Sequence, residues 1–174
     1  MSSAASAAVP TEAEAEDAVT KLCDAVTTHD GHTPDVPAAL ALLEGPFWYE
    51  GLTYWVPSDS DAKACTKKYG THGTIAQARL ERFLSCMASG TWLFAAEGSM
   101  RALDLAKLPR LLAKHRARLK KLAKDHALVR AWYATAGPQN QTWTIYAAIK
   151  DADGHVKITA LLSASAPYDG DPDD

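Results

Sequence analysis

The sequence predicts an α+β domain in which a single curved, mainly antiparallel sheet packs on three to four helices. Three observations lead there. Apolar residues recur at helical spacing near the N-terminus and again over 108–126, the last third alternates in strand fashion, and Asp151-Ala152-Asp153-Gly154 offers a tight turn between two of the alternating runs. A length of 174 residues, 47% of them apolar and 22% charged, suits one domain with its own core. No run of about 18 consecutive apolar residues is present, which excludes a membrane-spanning helix.

Thr11 and Glu14 form a capping-box pattern, and Ala15, Val19, Leu22, Cys23 and Val26 follow at helical spacing, predicting a first helix over 12–29. His29-Asp30-Gly31-His32-Thr33-Pro34 ends it. Asp35 caps a short second helix with Pro37 in its first turn, stopping before Gly45-Pro46. Phe47 to Val56 is rich in aromatic residues around Gly51 and reads as a hairpin, or as one strand bent at that glycine. Pro57 to Thr74 reads as a polar loop. Thr74 then caps a third helix with Ile75, Ala78, Leu80, Phe83, Leu84 and Met87 on one side and Gly90 at its end.

Thr91 to Glu97 reads as a buried strand that Ser99 to Leu103 extend past a bulge at Gly98. Pro109 opens the longest helix, 108–126, with Leu108, Leu111, Leu112, Leu119 and Leu122 as its apolar stripe and Arg110, Lys114, Arg118, Lys121 and Lys124 opposite. Strands 128–135, 141–149 and 155–163 close the domain. Trp143, Ile145, Ala147 and Ile149 share one face of their strand, and Val156, Ile158, Ala160 and Leu162 share one face of the next. The domain spans 11–167, between a flexible spacer at 1–10 and an acidic, disordered tail at 168–174. The helices are expected on one face of the sheet, which curls into a cone with an apolar mouth.

This element order and chain length resemble the nuclear-transport-factor-like superfamily of cone-shaped α+β barrels. That group includes small exported ligand-binding domains, ketosteroid-isomerase-like enzymes and partner-binding modules. The resemblance is one of architecture, and it carries no catalytic residue onto this chain.

Charge is strongly segregated beneath a net value of −3. Residues 1–61 hold eleven acidic side chains against Lys21, residues 62–150 hold sixteen basic ones against Glu81, Glu97, Asp104 and Asp125, and residues 151–174 hold six Asp against Lys157. The favoured expectation is internal compensation, with the acidic first helix and tail lying near the basic middle. The alternative is a positive surface for an anionic partner.

Met1 to Pro10 is a Ser/Ala stretch without a basic n-region, resembling the spacer left after export and cleavage. A periplasmic or extracellular protein is therefore expected, a cytoplasmic start being the alternative. Cys23, Cys65 and Cys86 allow one bridge. Cys65 and Cys86 are the preferred pair; otherwise all three thiols are reduced.

These features read as a non-catalytic exported domain that binds a small apolar or carbohydrate ligand, or a protein partner, in an aromatic-lined concavity. Its lining would be Trp48, Tyr54, Trp55, Trp132, Trp143 and Tyr146, since flat amphipathic rings suit sugar faces and apolar ligands. One alternative is a small cone-fold enzyme with Glu50 or Glu97 as a buried acid or base. The other is an anion-binding module using Arg110, Lys114, Arg118, Lys121 and Lys124 within the basic 101–124 segment. No aromatic interleaves those charges, which disfavours nucleic acid. No phosphate loop, dinucleotide fingerprint, nucleophile elbow or His-Glu-x-x-His helix occurs, and His29 and His32 beside Asp30 and Asp35 lack a further ligand. Neither cofactor nor metal is implied.

Overall fold

Thr11 opens the first helix by a reciprocal cap: its backbone N–H donates to Glu14 Oε2 at 2.8 Å, while the Glu14 N–H donates to Thr11 Oγ1 at 3.3 Å. Helix α1 (Glu12–Val26) follows and buries Ala15, Ala18, Val19, Leu22 and Val26 along one stripe. The computed structural model describes residues 8–26, 35–51, 59–88, 101–108, 110–135 and 141–167. The expected end of the first helix, most of the 1–10 spacer, the 91–97 strand and the 168–174 tail lie outside them.

Asp35 caps helix α2 (Val36–Leu42), its Oδ1 accepting from the Ala38 N–H at 2.9 Å, with Pro37 in the first turn where no N–H is needed. The chain passes directly into strand β1 (Leu43–Glu50), which contains a cis Gly45-Pro46 bond and so begins ahead of the expected Phe47. Helix α3 (Asp59–Tyr69) and strand β2 (His72–Ile75) occupy the stretch read as a polar loop. Thr74 is consequently a strand residue rather than a helix cap. A 3₁₀ turn, Gln77–Arg79, leads into α4 (Leu80–Ala88), which buries Leu80, Phe83 and Leu84.

Strand β3 (Arg101–Ala102) is followed by a 3₁₀ turn at Leu105–Lys107, where Asp104 Oδ1 accepts from the Ala106 N–H at 2.8 Å. The single helix expected over 108–126 is instead two short ones, α5 (Arg110–Ala113) and α6 (Arg116–Leu122). His115 lies between them at φ −97°, ψ 3°, and its N–H bonds back to Leu112 O at 2.9 Å in a 3₁₀-type turn. Strands β4 (Ala127–Thr135), β5 (Gln141–Ala152) and β6 (His155–Pro167) complete the described fold. The β5–β6 connection has φ 56° at Asp153 and φ 81° at Gly154, a type I′ geometry, and Asp151 Oδ1 accepts from the Gly154 N–H at 2.8 Å.

The strand order is β2-β1-β6-β5-β4-β3, antiparallel throughout except where β1 runs parallel to β6. This is a curved, mainly antiparallel sheet with helices, as the sequence predicts. The Phe47–Glu50 stretch pairs with β2 on one side and β6 on the other, so it is not one arm of a local hairpin.

Both faces of the sheet are covered, contrary to the expectation of helices on one. Phe47 and Tyr49 point into a cluster shared with α1, α2 and α4 through Leu22, Val26, Ala39, Phe83 and Leu84. Trp48, between them, points the other way with Leu128, Tyr146, Ala148, Ala160 and Leu162, and is covered by Leu112 and Leu119 from α5 and α6. A central strand with large apolar side chains in both directions needs cover on both sides.

The expected common face of Val156, Ile158, Ala160 and Leu162 is also divided. A register shift places Ile149 opposite Ile158 but Ala148 opposite Ala160, so Ile158 joins the α1 side while Ala160 and Leu162 join the other. On the α1 side, Tyr49 donates from Oη to Tyr69 O at 2.5 Å, and Gly73 is required beside it because a Cβ there would lie 2.8 Å from that hydroxyl.

Cys65 of α3 and Cys86 of α4 form the disulfide expected of that pair, with Cα atoms 5.7 Å apart. The bridge closes a loop of 21 residues in sequence separation. The chain-entropy relation gives such a loop about 3 kcal/mol of stabilisation. C65A/C86A should therefore lose about 3 kcal/mol in urea unfolding, and a loss of less than about 1 kcal/mol would mean that packing of Tyr69 and Phe83 alone holds α3 and α4 together. Burial beside the core and the neighbouring Asp24 charge push the free Cys23 thiol up to about 12. Cys23 should stay unlabelled by iodoacetamide in the native protein at pH about 8 and react once the chain is unfolded. Rapid native labelling is the contrary result.

Candidate functional site

Trp48 and Glu50 are two residues apart on β1 and therefore face the same way, toward the break between α5 and α6. That break brings three cationic or ionisable side chains onto them. Lys114 Nζ donates to Glu50 Oε1 at 2.9 Å, and His115 Nε2 lies 3.3 Å from the same oxygen. The His115 ring meets Trp48 edge-on, with centroids 5.1 Å apart. One turn further, the Arg118 guanidinium lies 3.9 Å from the Trp48 ring centroid, a cation–π contact.

Burial differs sharply within this group. Trp48 is 3% exposed and the Glu50 side chain 16%, whereas the Lys114 side chain is 65% exposed. The buried Nε2 of His115 makes no hydrogen bond, its approach to Glu50 being close but poorly directed. Burial by itself pushes the Glu50 carboxyl up, but the Lys114 hydrogen bond and the proximity of Lys114 and His115 outweigh it and hold the group below its ordinary value. Glu50 is thus an ionised anchor at neutral pH. A carboxyl serving as a general acid near neutral pH must be pushed up, the opposite of the direction found here.

The sequence-predicted residues divide accordingly. Trp48 and Tyr146 do come together, yet as members of one buried cluster filled by Leu112 and Leu119, so these two rings pack the interior instead of lining an open concavity. Trp132 lies in β4 and Trp143 in β5. Tyr54, Trp55 and Glu97 lie outside the described residues, as do His29 and His32. Arg110 is the first residue of α5. Lys114 and Arg118, read as part of the face opposite the apolar stripe, reach Glu50 and Trp48 from either side of the break between α5 and α6. His115 had no role in the sequence reading; its place one residue after Lys114 and three before Arg118 was the available signal.

Lys107, Arg116, Lys120, Lys121 and Lys124 are exposed and make no ion pair with a described residue. The nearest acid in sequence, Asp125, is engaged with His126 Nδ1 at 2.6 Å. Acidic α1 packs on the opposite face of the sheet from α6, so the first helix does not provide the internal compensation expected of it. Toward β3, Glu12 Oε1 of α1 accepts from the Ala102 N–H at 2.9 Å. Acidic α1 and basic α6 lie on opposite faces, while the α1 face also carries exposed Lys67 and Lys68 of α3 and Arg82 of α4.

No described helix is long and apolar enough to cross a membrane, and no cluster of three or more His, Cys, Asp or Glu suited to a metal occurs among the described residues. Comparison with protein-family models, curated proteins and solved structures finds no match to the chain.

Because the Glu50 carboxyl titrates lower when folded, its stabilising contribution is complete above the ordinary value of 4.5 and is lost as pH falls through the lower folded value. E50Q should therefore lower Tm at neutral pH and flatten its decline below pH 4.5. Coincident acid limbs for the two proteins would show that the carboxylate does not hold α5 and α6 to β1.

Proposed function

We propose that this chain is an exported, non-catalytic binding domain whose working surface is the basic face of α6 and whose partner is a linear polyanion. The observation that carries the reading is the placement of Arg116, Lys120, Lys121 and Lys124, exposed and without an ion pair among the described residues, on the side of the sheet opposite acidic α1. A cluster of exposed cations of this kind concentrates anions and speeds encounter.

The surroundings of the charges favour a soluble polymer as partner. Leu119 and Leu122 of α6 point inward, and Val9 is the one large apolar side chain exposed among the described residues, so the basic face has no wedge to enter a bilayer. No described aromatic projects among the exposed cations to stack on bases, and recognition rests on charge spacing. The Cys65–Cys86 bridge supports an oxidising compartment and hence export.

Heparin serves as the probe polyanion. The protein should be retained on immobilised heparin at low salt, and log affinity should fall linearly with log salt concentration. K120E/K121E should weaken binding at least about tenfold and reduce that slope, with an unchanged circular dichroism spectrum. A salt-independent interaction, or full retention by the double variant, would refute the assignment.

A further inference from the structure

The cation most exposed beside the buried tryptophan is already neutralised from within. Glu50 Oε1 accepts from Lys114 and lies 3.3 Å from His115 Nε2, so one carboxylate oxygen faces two nitrogen groups while the Arg118 guanidinium lies over Trp48. The Arg118 guanidinium lies over the Trp48 ring and makes no ion pair with a described residue, so its N–H donors are not held by a carboxylate among them. Two full positive charges thus meet one negative charge, and the buried His115 Nε2 has no hydrogen bond. Lys114, 65% exposed, is open to solvent on the side away from Glu50.

We propose that Lys114, His115 and Arg118 form an oxyanion subsite within the polyanion-binding face, and that Glu50 is its resident occupant, displaced by a sulfate or phosphate group of the bound chain. The inference rests on the polyanion reading and assigns it a point of regulation. A tetrahedral oxyanion carries more acceptor oxygens than the one through which Glu50 meets Lys114 and His115, and can engage Lys114, Arg118 and His115 together. Binding then competes with the contact that holds the α5–α6 turn to β1. The apparent affinity is reduced by the fraction of molecules in which Glu50 keeps its place. Trp48, under Arg118, reports the exchange.

The experiment is a fluorescence and calorimetric titration of the whole chain with a size-defined heparin oligosaccharide. E50Q should bind about two- to fivefold tighter than wild type, the range expected for removing one partly exposed competing ion pair. In a K114A background the same substitution should give no more than D125N, a control that removes a negative charge near α6 without touching the subsite. W48F should abolish the part of the emission change that accompanies binding in wild type. Should E50Q lose its fold, E50D draws the carboxylate back by one methylene and serves the same comparison.

A gain in E50Q that depends on Lys114 supports the proposal. Equal or weaker binding by E50Q, or a gain matched by D125N, overturns it while leaving the polyanion surface intact. Binding by neither wild type nor E50Q overturns both readings, and binding by E50Q alone shows a subsite closed by its own glutamate.

Discussion

Four consecutive residues of β1 divide the molecule in two. Phe47 and Tyr49 enter the core shared with α1, α2 and α4, while Trp48 and Glu50 face α5 and α6. The constraint is the period of a strand, two residues, applied where the strand is flanked on both edges by β2 and β6 and cannot rotate to favour either side. Everything described for the basic face depends on it. The register that buries Phe47 against Phe83, ring centroids 6.0 Å apart, also delivers Trp48 to Arg118 and Glu50 to Lys114.

The two halves are held differently. Around Phe47 and Tyr49 the cover is deep: three helices, aromatic contacts from Tyr49 and Tyr69 to Phe83, and a disulfide between α3 and α4. On the other side two helices of four and seven residues rest on fully buried Leu112 and Leu119 and on the polar contacts to Glu50. Helices this short have little stability of their own and take it from packing. Low local stability is the usual property of elements that exchange partners.

Where local chemistry decides the structure, it was readable from the sequence. The Thr11–Glu14 cap, the Asp35 cap, the Asp153-Gly154 turn and the opposite sense of Trp48 follow from neighbours within a few residues. So did the choice of Cys65 and Cys86. The rest depends on distant contacts. Helix α3 has little apolar periodicity to announce it, since Cys65 and Tyr69 are the residues of its second half that enter the core. The break at His115 involves no glycine or proline; it coincides with the reach of Lys114 and His115 to Glu50, far away in sequence. The shift between Ile158 and Ala160 likewise contains no punctuating residue, yet it reassigns half of β6 to the other face. For the candidate site, the basic residues were legible as a group, but which two turn inward was set by that break.

The parallel pairing of β1 with β6 joins Leu43 to Ile158 and Glu50 to Leu162, residues at opposite ends of the chain. The β5–β6 hairpin can form around its own two-residue turn, whereas the central strand finds its second edge only after loop closure across most of the sequence. Before β6 is in place, that edge of Phe47–Glu50 has no strand to pair with. The described sheet is therefore completed only when β6 returns to a strand more than a hundred residues earlier, which makes this pairing the slow, non-local step of assembly.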